Sequence, residues 1–288
     1  MLNIRVALSI FRLPWLVDAT TLAIGQRILA GDKLELEEKS DAYKFQLYHD
    51  DDNDDGSASM KRMDGAVAVF PISGTLLKED TWCSYGTQTI AQAIRGAAND
   101  DRIAAIVLDI NSGGGCVNAI APMLQAIEEI KSLGKPVLAH VDFCCSAAYW
   151  IASATDRIYM DNSISSAVGS IGAYSQVVET APGDLEKNGY TIHTIYADES
   201  SDKNKAYRAL QTGDEGPYKA DLSFLVSAFQ KDVKKNRVNL AADADGVLSG
   251  DIFYSEKAIA NGLVDGVMAL EEVIAVAALN SAKPNQSI

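Results

Sequence analysis

Basic charge, histidine, paired cysteines and long apolar runs are all scarce in this 288-residue chain. Lysine and arginine total 25 against 39 acidic residues, a net charge of −14. That balance excludes a nonspecific nucleic-acid binder, which needs clustered cations facing phosphates. The four cysteines are Cys83, Cys116, Cys144 and Cys145. Two are sequence neighbours and none forms a Cys-x-x-Cys pair, which excludes a disulfide framework and a zinc site and fits reduced, buried thiols in a cytoplasm. No run reaches the roughly 18 apolar residues of a membrane span. The apolar stretch at residues 2–29 is broken by Arg5, Arg12, Pro14, Asp18 and Arg27, and is expected to be a soluble amphipathic arm rather than a leader or anchor. No Gly-x-Gly-x-x-Gly is present, and no Lys-Ser or Lys-Thr follows a glycine loop, so nucleotide-phosphate binding lacks its signature. The oxygen-rich run Asp50-Asp51-Asp52-Asn53-Asp54-Asp55 lacks the EF-hand spacing and its closing glutamate. It fits a solvated, self-repelling linker, and neither a metal nor another cofactor is expected.

What is present is a globular composition, 48% hydrophobic and 22% charged, in a chain long enough for one large α/β domain with appendages or for two small domains. Residues 1–48 form an N-terminal arm with a helix expected over 18–30, its apolar side needing a surface that another subunit can supply. Residues 49–64 are the acidic linker. From residue 65 the texture is that of a parallel α/β protein: strands over 67–72, 103–110 and 136–141, helices over 87–98 and 122–133. The apolar run at 103–110 is the kind buried on both faces of a sheet. Further strands are expected at 157–160, 191–196 and 264–268, and helices at 184–188, 215–238 and 251–263. The domain is expected to close near residue 270, leaving 271–288 as a tail.

Two stretches carry chemistry. The strand at 103–110 runs out into Asn111-Ser112-Gly113-Gly114-Gly115-Cys116, where glycines let the backbone turn and expose its N–H groups. The next strand runs into Cys144-Cys145-Ser146-Ala147-Ala148-Tyr149-Trp150, a serine between small residues at a strand-to-helix turn. Parallel strands bring their C-terminal ends to one edge, so the two should lie side by side, a hydroxyl next to backbone donors as acyl transfer requires. Taken singly, each has a plainer reading, a tight turn or a close crossing. A base is still needed. His49 adjoins the linker, while His140 and His193 sit in expected strands, His140 facing core or a helix. A desolvated lysine is the alternative. The candidates, Lys203 and Lys205, lie in a polar stretch, Ser200-Ser201-Asp202-Lys203-Asn204-Lys205, that would otherwise be a surface loop.

The order Ile110-Asn111-Ser112-Gly113-Gly114-Gly115, Ser146-Ala147-Ala148-Tyr149, Val168-Gly169-Ser170-Ile171-Gly172, the Lys203 loop ending Tyr207-Arg208, and Gly262-Leu263-Val264-Asp265 resembles the signal peptide peptidase A serine protease family over residues 65–270. The resemblance implies a Clp protease/crotonase-like fold, a mainly parallel sheet covered by helices. It also implies hydrolysis of peptide bonds by a Ser-Lys dyad. Position by position it makes Ser146 the nucleophile and Lys203 the base, with Lys205 as the alternative. The N–H groups of Gly114 or Gly115 and of Ala147 would form the oxyanion hole. Val168, Gly169, Ser170 and Ile171 would line a groove that pairs an extended peptide by strand addition. Short members of this type act as phage or prophage head-maturation proteases. The implied partners are therefore capsid, scaffold or portal proteins in the host cytoplasm or an assembling head, and the implied state is a homo-oligomeric ring.

This chain departs from the family pattern in three places: Gly113 replaces a usual proline, Ala147 and Ala148 replace usual glycines, and the lysine stands closer to Tyr207-Arg208 than is usual. The two alanines suggest small residues on the acyl side of the cleaved bond. Two readings compete within the same fold and family, a non-catalytic ring-forming assembly protein and a membrane-associated signal peptide peptidase-like protease. A crotonase-type acyl-CoA enzyme is a third, less well matched by the Ser146 and Lys203 motifs.

Overall fold

The computed structural model describes residues 15–17, 43–48, 65–177 and 193–281, together with residues 187, 189 and 191. The helix expected over 18–30, the acidic linker and most of the helix expected over 184–188 lie outside them. The elements in chain order begin with strands β1 (Trp15–Val17), β2 (Gln46–Tyr48) and β3 (Ala66–Ser73), then helix α1 (Thr87–Ala98). Next come β4 (Ile103–Ser112), β5 (Gly114–Cys116), a 3₁₀ turn (Val117–Ala119), α2 (Ile120–Ser132), β6 (Val137–Cys145), α3 (Ala147–Ser153), β7 (Arg157–Met160) and β8 (Ala167–Gly169). The chain continues through α4 (Lys205–Gln211), α5 (Gly216–Asn236), β9 (Ile252–Tyr254), α6 (Ser255–Ala260), β10 (Gly266–Val267) and α7 (Leu270–Ser281).

The main sheet runs β10-β7-β6-β4-β3-β2. The pairings between β10 and β3 are all parallel, and β2 joins β3 antiparallel at the edge. β6 outruns β7, and its last residues pair parallel with β8, which carries β9 antiparallel on its other side. The expected α/β fold with a mainly parallel, helix-covered sheet is thus observed. Each step from β3 to β4, β6 and β7 moves one strand in the same direction, so right-handed crossovers put α1, α2 and α3 on one face. Alternate residues of β4 divide between the faces. Ile106, Leu108 and Ile110 pack with Met123, Ile127 and Ile130 of α2, all essentially inaccessible. Burial of each such side chain contributes about 1.5–3 kcal/mol.

The opposite face corrects the expected domain boundary. Residues 271–281 are not a tail but most of α7, whose Val273, Ile274 and Ala277 cover Val67, Val69, Ala105, Val107 and Leu138. Two further differences follow from local pattern. The span 251–263 divides into β9 and α6, because the β-branched and aromatic run Ile252-Phe253-Tyr254 pairs with β8 before the helix starts at Ser255. No strand forms among the described residues of 191–196 despite their alternation, and Ile195 is 89% exposed. Part of the N-terminal arm belongs to the domain, since β2 extends the sheet and Phe45 stacks on Phe70.

Candidate active site

Ser146 stands where β6 ends and α3 begins, at φ 56° and ψ −121°, a combination that non-glycine residues rarely adopt. The turn is held from several directions. The Ser146 N–H donates to the Gly169 carbonyl at 2.8 Å, its carbonyl accepts from the Trp150 N–H at 2.9 Å, and Oγ lies 3.5 Å from the Gly172 carbonyl. Every residue of α3 is buried. The helix is locked below by the Tyr149 hydroxyl donating to the Leu263 carbonyl at 2.8 Å, by Trp150 Nε1 donating to Asp232 at 2.9 Å, and by Trp150 stacked on Phe229 of α5. The serine is 1% exposed. The Ala147 N–H, in the first turn, has no acceptor within the helix.

The glycine loop lies against this helix, as expected from the register that sets Ser112 beside Cys144. Its backbone groups are not equivalent. The Gly114 N–H donates to Ser112 Oγ at 3.1 Å, and Ser112 Oγ donates to the Gly74 carbonyl at 2.5 Å. The Leu76 N–H donates to the Gly114 carbonyl and the Leu76 carbonyl accepts from the Cys116 N–H, each at 2.9 Å. Within an extended strand, the N–H and C=O of one residue point to the side opposite those of its neighbours. The Gly115 N–H therefore faces away from Leu76. A Cβ on Gly115 would sit 2.0 Å from the Leu76 carbonyl oxygen, which is why only glycine fits there. Leu76 and Ser112 are site-shaping residues that the sequence reading missed, because their roles depend on contacts across 38 residues of chain.

Val168 and Gly169 adjoin the Ser146 turn, with Gly169 opposite Cys145. Their strand, β8, is paired on both edges, by β6 and β9, and the Ser170 N–H donates to the Asp251 carbonyl at 2.7 Å. Neither edge of β8 is therefore open to an added strand; beyond it Ile171 is buried and the Gly172 carbonyl lies 3.5 Å from Ser146 Oγ.

The lysines are not brought to the serine. Lys203 lies on an exposed turn and Lys205, at the start of α4, pairs with Asp202 at 3.2 Å. Among the described residues no hydrogen bond or ion pair joins either lysine to Ser146. That turn is tied back by the Arg208 guanidinium, which donates to the Ser201 carbonyl and lies 5.0 Å from the Tyr196 ring centre. His193 is exposed in irregular chain. His140 lies on the α7 side of the sheet, with Nδ1 2.8 Å from Asp109 and Nε2 3.3 Å from Asp161, so it is a partnered histidine away from the turn. Two of the buried thiols are held in the protonated, unreactive form: burial pushes Cys116 up to about 12 and holds Cys144 well above the usual thiol range. Among the described residues no cluster of His, Cys, Asp or Glu could hold a metal ion, and no helix is long and apolar enough to cross a membrane.

Comparison with known proteins gives a family match, several relatives and weaker structural likenesses. Residues 129–283 match the model of peptidase family S49. Protease 4 of Haemophilus influenzae is 27% identical over 210 residues, 72% of this chain and 34% of that protein. Capsid assembly protease C of Escherichia phage lambda is 30% identical over 176 residues, 59% and 38% of the two chains. Head-tail preconnector protein GP5 of Enterobacteria phage P21 is 27% identical over 232 residues, 78% and 45%. The aligned region thus spans between a third and a half of these relatives' lengths. Among solved structures, a membrane-bound stomatin-specific protease aligns with a TM-score of 0.43 and 17% identity, covering 71% of this chain and 81% of that one. An enoyl-CoA hydratase/isomerase from Pseudoalteromonas atlantica aligns with a TM-score of 0.42 and 14% identity, covering 78% and 76%. The match over residues 129–283 takes in more than half of the chain, Ser146 included, and the chain belongs to peptidase family S49.

Proposed function

We propose that this chain is a serine peptidase with Ser146 as its nucleophile. The observation that carries the reading is the backbone of Ser146, a buried serine held at φ 56° and ψ −121° on a fully packed turn. Strain of this kind costs about 1–3 kcal/mol and persists only where the surroundings enforce it. In the reaction, Ser146 Oγ adds to the peptide carbonyl carbon. The developing oxyanion is received by the N–H groups of Gly115 and Ala147; Gly114, with its N–H on Ser112, serves the turn instead. A base takes the serine proton and passes it to the leaving amine, and water then hydrolyses the acyl-enzyme. Lys203 is that base, with Lys205 the alternative, and it acts once its turn closes on the serine or a neighbouring subunit supplies it, since a lysine must lose solvent to lose its proton. No cofactor enters any step.

The names of the phage relatives support capsid or head-tail proteins as substrates, with scaffold and portal proteins and a homo-oligomeric ring as the working form proposed on the family resemblance alone. The separation of both lysines from Ser146 favours one competing reading, an assembly protein that keeps the fold without the chemistry. A fluorophosphonate probe separates the two. Labelling of Ser146, with peptide hydrolysis lost in Ser146→Ala and Lys203→Ala but kept in Lys205→Ala, supports the peptidase. An unlabelled, folded wild-type chain that hydrolyses no peptide refutes it.

A further inference from the structure

The strand β1 does not join the main sheet. Among the described residues it pairs with β5, antiparallel, Trp15 opposite Cys116, Leu16 opposite Gly115 and Val17 opposite Gly114. The other edge of β5 is occupied by Leu76, through the Gly114 carbonyl and the Cys116 N–H. The N–H and C=O of Gly115 are therefore turned towards Leu16, and in an antiparallel pair of this kind the two residues exchange both hydrogen bonds. The carbonyl directed at the Gly115 N–H is that of Leu16. A three-residue ladder on a two-stranded sheet adds little to fold stability, so structural support is a weak reason for a strand to lie there.

The Gly115 N–H is also the donor assigned above to the oxyanion, and β5 packs on the helix that begins beside Ser146. We infer that Trp15–Val17 is bound as the enzyme's own peptide substrate, with Leu16–Val17 as the scissile bond. The inference rests on the serine peptidase reading and goes beyond it by naming a substrate and its register. Three features support it together: extended conformation, antiparallel direction, and a carbonyl opposite Gly115, whose N–H is directed away from Leu76. The step balances without a co-reactant other than water. Ser146 Oγ bonds to the Leu16 carbonyl carbon, and the Leu16–Val17 C–N bond breaks as the Val17 nitrogen takes the proton that left the serine. Water then hydrolyses the ester, freeing residues 1–16 with a carboxylate on Leu16 and leaving a chain that begins at Val17. The residue on the acyl side of the cleaved bond is then a large apolar one, in contrast to the small residue suggested by Ala147 and Ala148.

The test follows the full chain by intact mass and N-terminal sequencing during incubation after purification, with fluorophosphonate labelling of Ser146 as a parallel readout. The wild type is expected to accumulate a species starting at Val17. Ser146→Ala is expected to stay intact, and Leu16→Pro, which removes the Leu16 N–H from the pair, to stay intact while still being labelled. A wild-type chain that is labelled at Ser146 yet stays intact, or is cut only elsewhere, overturns the self-cleavage and leaves the peptidase reading standing. A chain neither labelled nor cut overturns both. A Val17 terminus that also forms in Ser146→Ala assigns the cut to another protease and overturns the inference.

Discussion

The backbone of Ser146 makes a prediction in which stability and activity separate. At an ordinary buried position, replacing alanine by glycine costs about 0.5–1 kcal/mol in unfolded-state entropy and about 0.8 kcal/mol for the lost methyl, near 1.5 kcal/mol together. At φ 56° and ψ −121° a Cβ is itself the source of strain, worth about 1–3 kcal/mol, which glycine does not incur. Taking about 2 kcal/mol for that relief, Ser146→Gly should be as stable as Ser146→Ala or more stable by about 0.5 kcal/mol, instead of less stable by about 1.5. The gap between the two outcomes is near 2 kcal/mol, or roughly 4–8 °C in melting temperature for a chain of this size. Both variants should lose fluorophosphonate labelling and peptide hydrolysis. Thermal melts of the pair, followed by circular dichroism, decide the matter. If Ser146→Gly melts several degrees below Ser146→Ala, the turn is not strained and the observation carrying the functional reading is gone.

Two further perturbations test the supports of the site. Gly115→Ala places a methyl 2.0 Å from the Leu76 carbonyl oxygen, so β5 must shift. Loss of its N–H as an oxyanion donor is expected to lower kcat on a peptide substrate by about 100-fold or more, and an unchanged kcat would remove Gly115 from the mechanism. Asp265 accepts from Arg237 at 2.8 Å, from the Ile158 N–H at 2.8 Å and from Arg157 at 3.0 Å. Burial alone would raise its carboxyl, but the Arg237 and Ile158 hydrogen bonds, with Arg157, outweigh burial and hold it below the usual carboxylate range. A depressed folded-state value means that the stabilisation is present above the ordinary carboxylate range and is lost as pH falls through the folded value. Asp265→Asn, which leaves Arg237 buried without its counter-charge, is therefore expected to cost about 3 kcal/mol at neutral pH, with the deficit shrinking in strongly acidic solution. Urea titrations at several pH values check this, and a pH-independent deficit would refute it.

Legibility in the sequence followed how local each feature is. The run at 103–110 is apolar except for Asp109 because β4 is covered on both faces, and the helix over 87–98 carries Ile90, Ala91 and Ile94 on one stripe, so both are readable without any partner. The helix on the second face has its own local signal, since Val273, Ile274 and Ala277 repeat at helical spacing behind Glu271 and Glu272, but it lies beyond the last family motif and nothing local names the sheet face it covers. The alternation Thr191-Ile192-His193-Thr194-Ile195-Tyr196 shows the opposite failure, a strand-like period with no partner strand among the described residues. The choice among the glycines was undecidable locally for the same physical reason. Gly114 and Gly115 are equivalent as residues and differ because Leu76, distant in sequence, holds one edge of β5, and because Ser112, itself fixed on the distant Gly74 carbonyl, takes one N–H. The remaining edge, facing Leu16, is defined by those bonds. The base belongs to the same class: nothing near Lys203 in sequence dictates whether its exposed turn closes on Ser146, because a lysine is made basic at neutral pH by what surrounds it in space.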